Sequence, residues 1–273
     1  MDMITDLDSA KDYLRLAAQR GSKPGLERIS ELCTKLGQPQ NALPCVHIAG
    51  TNGKGSVGAM LASILTAAGY KVGHFSSPAL LDVTDSFRIN GDTVSAERFS
   101  ATLRDIAPLA ESLDDKPTEF EILTAAAFCL FRDEGCDIAL IECGMGGLLD
   151  STNVIASPVL SVITNVSRDH MAFLGYSEAE IAEHKAGIIK PGRPVLLGSG
   201  SDMTMMLVQG RAAELGAKFY LADPGWLMFF ASSLSGCRFV YESSTGASLE
   251  MNTPMSGTYQ RENSLTALCA AEL

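Results

Sequence analysis

The segment from 45 to 68 constrains the fold of this chain more than any other part of the sequence. An apolar run over 45–49 leads into Gly50-Thr51-Asn52-Gly53-Lys54-Gly55-Ser56, and a helical pattern follows over 57–68. A short apolar strand, a glycine-rich turn and a helix in this order are typical of a parallel α/β sheet. Small residues let successive backbone N–H groups face an anion at a helix N-terminus. The segment therefore predicts a phosphate cradle.

Lys54 and Ser56 make this cradle a candidate nucleoside triphosphate site. A lysine here supplies a point charge to the β and γ phosphates, and a serine hydroxyl is a ligand for Mg²⁺. The match to GxxxxGK[ST] is incomplete, because Ile48 replaces the first glycine and Gly55 separates Lys54 from Ser56. The alternative is a glycine-rich turn without a ligand. The order of strand, loop and helix favours the triphosphate site.

Short apolar runs alternate with longer amphipathic stretches along most of the chain. This alternation predicts a three-layer α/β fold of the P-loop NTPase type with a mostly parallel sheet. The predicted strands are 45–49, 71–75, 137–142, 159–164, 193–198 and 218–221, and the predicted helices are 26–36, 57–68, 96–107, 118–134, 177–189, 203–215 and 262–273. Thr118 with Glu121, and Ser177 with Glu180, have the spacing of capping boxes. Within a β-rich appendage at about 224–255, the segments 237–242 and 246–252 predict a β-hairpin.

Composition excludes several classes of protein. The 273 residues are 46% apolar, which fits one large or two modest domains. A net charge of −11 argues against nucleic-acid and anionic-membrane partners. No apolar run approaches the ~18 residues of a membrane span, and the acidic N-terminus has no signal pattern. Seven cysteines without a CxxC pair indicate reduced, buried thiols. We expect a cytoplasmic monomer that acts on small molecules.

Two further residues are candidates for metal chemistry. Glu142 ends a predicted strand and precedes several glycines, which would place its carboxylate at the sheet edge where α/β proteins bind ligands; a solvated strand-end Glu is the alternative. Lys185 shares a predicted helix face with Ile181, Ile188 and Ile189, which indicates that it points inward. Burial favours the neutral amine, which can add CO₂ to give a metal-binding carbamate. The alternative is a lysine that extends past the isoleucines to solvent.

Many short segments, taken in order, resemble the folylpolyglutamate synthase and dihydrofolate synthase family of the Mur ligase superfamily. They are Gly25-Leu26-Glu27-Arg28-Ile29, Leu36-Gly37-Gln38-Pro39-Gln40, His47 to Ser56, Ser76-Ser77-Pro78, Arg88-Ile89-Asn90-Gly91, Phe120-Glu121-Ile122-Leu123-Thr124, Glu142-x-Gly144-x-Gly146-Gly147, Thr152-Asn153, Ile163-Thr164-Asn165, Asp169-His170 with Leu174-Gly175, Lys185 to Gly192, and Tyr259-Gln260-x-x-Asn263. Each segment alone is weak. Their number and order make the resemblance specific.

The resemblance implies a set of site residues. It implies that ATP is bound by Gly50 to Ser56 and by Asn263, with Lys54, His170 and Lys185 as catalytic residues. It implies two Mg²⁺ ions held by Ser56, Glu142, His170 and a carbamylated Lys185. It places Ser77, Pro78, Phe120 and Glu121 on the folate side of the site. Helical spacing with Leu123 and Ala127 leaves Phe120 open to a second interpretation, as an ordinary core aromatic.

The family's activity is implied in the same way. Its enzymes use ATP to convert a folate or dihydropteroate carboxylate into an acyl phosphate, which the amine of L-glutamate attacks to form an amide. One alternative is another Mur-type amide ligase that acts on a cell-wall precursor, although 25–40 and Ser76-Ser77-Pro78 favour the folate branch. The other is a truncated nucleotide-binding pseudoenzyme without turnover.

The sequence departs from the family pattern in two ways. Ala79 replaces a usual His, Ser86 and Leu148 replace usual Arg residues, and His184 replaces a usual Glu. These changes lie mostly on the folate side and put substrate identity in doubt more than ATP binding. The family also has a C-terminal glutamate-ligase domain with an Asp-Gly-x-His-Asn-Pro segment, which residues 1–273 lack. We expect the chain to be the ATP-binding part of a longer ligase.

Overall fold

A mostly parallel sheet of eight strands forms the centre of the fold in the computed structural model, which describes residues 4–167 and 175–273. Its strands are β1 (Cys45–Ala49), β2 (Val72–Phe75), β3 (Phe87–Ile89), β4 (Asp92–Thr93), β5 (Ile138–Glu142), β6 (Leu160–Ile163), β7 (Val195–Leu197) and β8 (Phe219–Leu221). Their order is β4-β3-β2-β5-β1-β6-β7-β8, antiparallel only at the β2–β3 and β3–β4 pairs. The predicted three-layer α/β fold is confirmed.

Helices cover both faces of this sheet. Those in the described residues are α1 (Leu7–Ala18), α2 (Glu27–Lys35), α3 (Lys54–Ala67), α4 (Ala96–Glu111), α5 (Glu119–Asp133), α6 (Glu178–Ala186), α7 (Asp202–Glu214) and α8 (Gln260–Glu272). Alternate residues of β1 face opposite layers, as the pleat of a strand requires. Cys45 and Ala49 face the layer of α1, α2 and α4 to α7, whereas Val46 and Ile48 face α3 and α8. Both faces are therefore apolar cores.

A second, smaller sheet follows Pro224. It contains β9 (Leu227–Ser233), β10 (Gly236–Glu242) and β11 (Ser248–Thr253), all antiparallel, in the order β11-β10-β9. The predicted hairpin is present as β10 and β11, and β9 adds a third strand. Phe239 and Tyr241 are buried in the same core as α8, so this sheet packs on the main domain.

Several element boundaries differ from the sequence prediction. Helix α1 and the edge strands β3 and β4 were not predicted, α3 begins at Lys54 rather than at 57, and α6 ends at Ala186 rather than at 189. Both predicted capping boxes form, at Thr118 with Glu121 and at Ser177 with Glu180. All seven cysteines are free and buried, as predicted. No helix within the described ranges is long and apolar enough to cross a membrane.

Candidate active site

The phosphate loop connects β1 to α3 and is held by the loop that follows β6. The backbone N–H of Thr51 donates to the carbonyl of Asn165 at 3.0 Å, and the N–H of Asn52 donates to Asn165 Oδ1, also at 3.0 Å. Thr164 Oγ1 donates to the carbonyl of Asn52 at 2.6 Å. Thr164 and Asn165 follow a buried strand at the carboxyl edge of the sheet, and sequence analysis did not assign them to the site. Thr164 and Asn165 therefore hold the phosphate loop in place through these hydrogen bonds.

The first turn of α3 presents its backbone N–H groups beyond this loop. The first helical bond runs from Val57 N–H to the Gly53 carbonyl at 2.8 Å, and no side chain of the described residues caps the helix. The N–H groups of Lys54, Gly55 and Ser56 thus lack intrahelical partners. Together with the positive potential of the helix terminus, they form an anion site. The loop therefore presents unpaired backbone N–H groups where the sequence predicts a phosphate, and the ATP-binding role of 50–56 stays a prediction.

Gly53 brings this loop close to α8. It adopts a φ of +81°, and a Cβ atom there would lie 2.2 Å from Oδ1 of Asn263. Asn263 is buried, and its Nδ2 donates to Gln260 Oε1 at 2.8 Å. Only glycine satisfies both the backbone conformation and the space. The structure therefore brings Asn263 against the phosphate loop, 210 positions after Gly53.

Lys54 and Glu142 meet at the carboxyl edge of the sheet. The Nζ of Lys54 lies 3.9 Å from Oε1 of Glu142, and it also donates to the carbonyl of Gly50 at 3.2 Å. Glu142 is 4% exposed, and its Oε2 has no hydrogen-bond partner among the described residues. Burial raises the pKa of Glu142 to about 7, although the Lys54 ammonium lowers it. This carboxylate needs a partner, and a divalent cation is one that fits.

Of the two remaining metal candidates, Lys185 and His170, the structure describes Lys185. Lys185 is buried at 2% exposure, as the sequence predicted, in the last turn of α6. Ile188 and Ile189 are also buried, but they lie beyond the end of the helix rather than on its face. Burial raises the pKa of the Cys143 thiol, which follows Glu142, and the charge of Lys185 acts weakly in the opposite direction. His170 lies outside the described residues.

The donor set present fits a magnesium site in part. Ser56 belongs to the turn of α3 that faces Glu142, since Oε2 of Glu142 lies 3.5 Å from where a Cβ on Gly55 would be. A hydroxyl and a buried carboxylate are oxygen ligands of the kind Mg²⁺ prefers beside phosphates. No group of three or more His, Cys, Asp or Glu side chains with metal-binding proximity occurs within 4–167 and 175–273. A metal here would therefore need further ligands from substrate, water, a modified lysine or residues outside these ranges.

A cleft of about 890 Å³ opens beside this edge of the sheet. Ser77, Pro78 and Phe120 line it, so three of the four predicted folate-side residues share one cavity. Glu121 does not line it. The Glu121 carboxylate is buried, accepts from Arg28 Nε at 3.1 Å and from the Thr118 N–H at 2.7 Å, and closes the capping box of α5. These contacts indicate that Glu121 stabilises the start of α5.

Three of the four departures from the family pattern lie on this cleft. Ala79, Ser86 and His184 line it, whereas Leu148 is 44% exposed next to the lining residues Gly147 and Leu149. The departures are thus concentrated around the cavity and away from the phosphate loop.

A buried polar chain that sequence analysis missed connects the cleft to β1. Asp150 Oδ1 accepts from Thr152 Oγ1 at 2.6 Å, and Thr152 Oγ1 lies 2.8 Å from His47 Nε2. The same His47 nitrogen is 3.1 Å from Cys143 Sγ. Burial lowers the pKa of His47 to about 3 and raises that of Cys143 well above its usual value. Both side chains are neutral at pH 7, so His47 and Cys143 do not act as a nucleophilic pair. Their hydrogen bonds instead hold the loop that contains Asp150 and Thr152 against β1.

The fold and site define an α/β domain with a glycine-rich loop before a helix N-terminus and a cleft at the carboxyl edge of its sheet. The Mur ligase middle domain matches residues 48–271, and the chain belongs to that family. The predicted resemblance to folylpolyglutamate and dihydrofolate synthases is confirmed by relatives of those names.

Three relatives illustrate this similarity. The dihydrofolate synthase/folylpolyglutamate synthase of Bacillus subtilis is 36% identical over 99% of this chain and 64% of its own length. The folylpolyglutamate synthase of Mycobacterium tuberculosis complexed with ADP superposes with a TM-score of 0.90, at 33% identity over 97% of this chain and 62% of that one. An FPGS–AMPPCP–folate complex gives a TM-score of 0.85, at 35% identity over 95% of this chain and 66% of that one. The chain thus spans less than two thirds of their length.

Proposed function

We propose that this chain is the ATP-binding part of an ATP-dependent ligase that joins L-glutamate to a folate, and to dihydropteroate as a second acceptor. The observation that carries the proposal is the position of Glu142, whose buried carboxylate lies 3.9 Å from Lys54 of the phosphate loop and is followed in sequence by Gly144 and Met145, which line the cleft. One edge of the sheet thereby holds a site for a triphosphate beside a cavity of about 890 Å³ for an organic acid. The relatives that carry these activities in their names support the same conclusion.

In the proposed reaction, an acceptor carboxylate attacks the γ-phosphate of ATP. An acyl phosphate and ADP result, and the glutamate amine then displaces phosphate to form the amide. Two anions must approach each other, so the main requirement is stabilisation of negative charge. Lys54 and the N–H groups of 54–56 supply it from this chain. Mg²⁺, held by Ser56 and Glu142, would neutralise further phosphate charge.

The same proposal gives roles to the other predicted site residues. It includes a second Mg²⁺ near Lys185, with Lys185 carbamylated and His170 as a further ligand. The inward position of Lys185 supports this, because a carbamate turns a buried amine into an anionic oxygen donor. It also assigns Asn263 to the nucleotide and Phe120 to the acceptor. We further propose a cytoplasmic location, which the seven buried free thiols support.

Separate ligand titrations of residues 1–273 test this assignment. We expect the chain to bind Mg-AMPPCP and dihydropteroate or tetrahydrofolate. Lys54→Ala should abolish binding of the nucleotide, and Phe120→Ala should weaken binding of the pteridine by at least tenfold. Unchanged binding of both ligands by both variants, or no binding of either pteridine by the wild type, would refute the proposal.

A further inference from the structure

A second cavity, of about 490 Å³, lies between α3 and the antiparallel pair of β2 and β3. One wall is the middle and end of α3, where Ala59, Ala62 and Thr66 line the cavity. The other wall contains His74 of β2 and Arg88 of β3. In the described part of the chain, this cavity shares no lining residue with the phosphate loop or the cleft. We call it the α3 groove, and it is separate from the candidate active site.

His74 and Arg88 lie side by side on the face of the sheet that α3 covers. They are direct partners in the antiparallel register of β2 and β3, so their side chains point to the same face. His74 is in contact with α3, because a Cβ on Gly58 would lie 2.4 Å from its Nε2. Helix α3 packs on β2 and β5, and β3 lies beyond β2 in the sheet. Arg88 therefore borders the groove at the flank of the helix.

Arg88 is the one charged residue that lines the α3 groove within 4–167 and 175–273. Its Nη1 donates to the Gly91 carbonyl at 3.0 Å, and its guanidinium forms no other hydrogen bond or ion pair with a described residue. Two backbone N–H bonds hold the pKa of Asp85 below its usual value, and the charge of Arg88 lowers it further without an ion pair. Burial, reinforced by Arg88, lowers the pKa of His74 to about 4, so this ring is neutral at pH 7. The groove thus has one positive charge with N–H donors to spare.

Two buried polar atoms of groove residues have no hydrogen-bond partner among the described residues. They are Oγ1 of Thr66 and Nε2 of His74, a residue that is 5% exposed. Asn90 also lines the groove. Its Oδ1 accepts from the Val72 N–H at 2.8 Å, while its Nδ2 donates to no described residue. Unpaired polar groups in a buried wall cost free energy that a polar ligand would recover.

We propose that the α3 groove binds a small monocarboxylate that carries a second hydrogen-bonding group. The planar guanidinium of Arg88 presents parallel N–H donors, which match the two oxygens of a carboxylate. A single cation compensates a single negative charge, which favours a carboxylate over a phosphate dianion. Ser63, Thr66 and Asn90 are available to the second polar group, and the alanines of α3 contact the aliphatic part. The site shares no residue with the proposed ligase site, so it is independent of that function.

Titration of residues 1–273 with 6-hydroxyhexanoate, followed by saturation-transfer NMR, tests the proposal. This probe has one carboxylate and one hydroxyl joined by an aliphatic chain, and 6-hydroxyhexanamide is its neutral counterpart. We expect the wild type to bind the acid at least tenfold more tightly than the amide or inorganic phosphate. Arg88→Gln should bind the acid at least tenfold more weakly. Arg238→Gln, at an exposed arginine of β10, and Lys54→Ala, in the phosphate loop, should bind it as the wild type does.

Thr66→Val separates ligand recognition from folding. Valine has nearly the shape of threonine and lacks the unpaired hydroxyl, so the free protein should gain free energy of unfolding in urea. The same variant should bind 6-hydroxyhexanoate at least threefold more weakly. No binding of the acid by the wild type, equal binding of acid and amide, or wild-type affinity in both Arg88→Gln and Thr66→Val would overturn the proposal. Tighter binding of inorganic phosphate than of the acid would also contradict it.

Discussion

The Nζ of Lys54 lies 3.9 Å from Oε1 of Glu142, which joins the start of α3 to the end of β5. Both side chains are largely buried, at 16% and 5% exposure. The ammonium therefore compensates a carboxylate that would otherwise be unfavourable in this environment. If the proposed function is correct, a bound triphosphate would attract Lys54 to its phosphates, and its cation would attract Glu142. The two residues thus form a pair that the substrate is expected to separate.

Replacement of Lys54 by Ala should abolish detectable Mg-ATP binding and leave the fold intact. The side chain contacts loop carbonyls and Glu142 rather than an apolar core. Lys35→Ala is the matched control, because Lys35 ends α2 on the exposed surface. Isothermal titration calorimetry with Mg-ATP measures the difference. Equal affinity of Lys54→Ala and wild type would contradict the phosphate-loop assignment.

Replacement of Gly53 by Ala should impair nucleotide binding beyond the cost of its backbone conformation. Gly53 and Gly69 have φ values of +81° and +96°, but a Cβ meets Asn263 only at Gly53. We expect both alanine variants to lose about 1 kcal/mol of unfolding free energy from backbone strain. Only Gly53→Ala should also weaken Mg-ATP binding, by at least tenfold. Urea denaturation and calorimetry give the two quantities, and a matching affinity loss in Gly69→Ala would argue against the contact with Asn263.

Acid should destabilise the fold through the buried His74. Burial, reinforced by the Arg88 guanidinium, lowers the pKa of His74 to about 4. Between about pH 6.5 and 4 the unfolded chain binds a proton that the folded chain does not, so stability is present above this range and falls as the pH falls. Each such histidine contributes about 1.4 kcal/mol per pH unit.

The His74→Gln variant isolates this contribution. Its unfolding free energy should fall less steeply with acid than that of the wild type, by about 1.4 kcal/mol per pH unit between pH 6 and 4.5. Gln209→Ala, at an exposed residue of α7 without a titratable group, should keep the wild-type slope. Urea denaturation over this pH range decides the point, and parallel wild-type and His74→Gln curves would count against a neutral buried His74.

Bicarbonate labelled with ¹³C should give a carbamate signal in the wild type. The reason is the buried position of Lys185, because burial favours the neutral form of an amine, which is the form that adds CO₂. Lys185→Arg should lack the signal, and Lys54→Ala should keep it. The measurement is a ¹³C NMR spectrum under saturating bicarbonate with Mg-AMPPCP. A wild-type spectrum without the resonance would leave Lys185 as a buried, unmodified amine.

Six strands of the main sheet were predictable because each is a short, mostly apolar run between turn residues, whereas the edge strands β3 and β4 were not. The elements that were missed carry weaker patterns. Strand β4 has two residues and both are exposed, while β9 has Met228 and Phe229 facing solvent, so neither shows the burial pattern of a strand. Helix α1 is amphipathic, but it lies in an acidic segment. The charge of that segment argued against a signal sequence and did not indicate a helix.

The candidate site was predictable where its chemistry is local in sequence. Residues 50–56 form one turn, and Glu142 and Lys185 were identified from the ends and faces of single elements. Contacts across the fold were beyond the sequence, since nothing in a local pattern joins His47 to Thr152 or Gly53 to Asn263. The sequence also could not decide between a functional and a structural role for Glu121, because its partner Arg28 lies on a different helix, α2.

One ligation assay tests the central proposal most directly. The protein is a chimera of this chain and the Bacillus subtilis relative. Residues 1–273 replace the 64% of the relative that they match, and the relative supplies the rest of the chimera. It is incubated with ATP, Mg²⁺, labelled glutamate and either dihydropteroate or tetrahydrofolate. Residues 1–273 alone should form no conjugate, because an acyl phosphate open to water hydrolyses before glutamate reaches it. The chimera should form labelled conjugate, and its Lys54→Ala variant should form none. A folded chimera that binds Mg-ATP but yields no conjugate with either acceptor would contradict the proposed function.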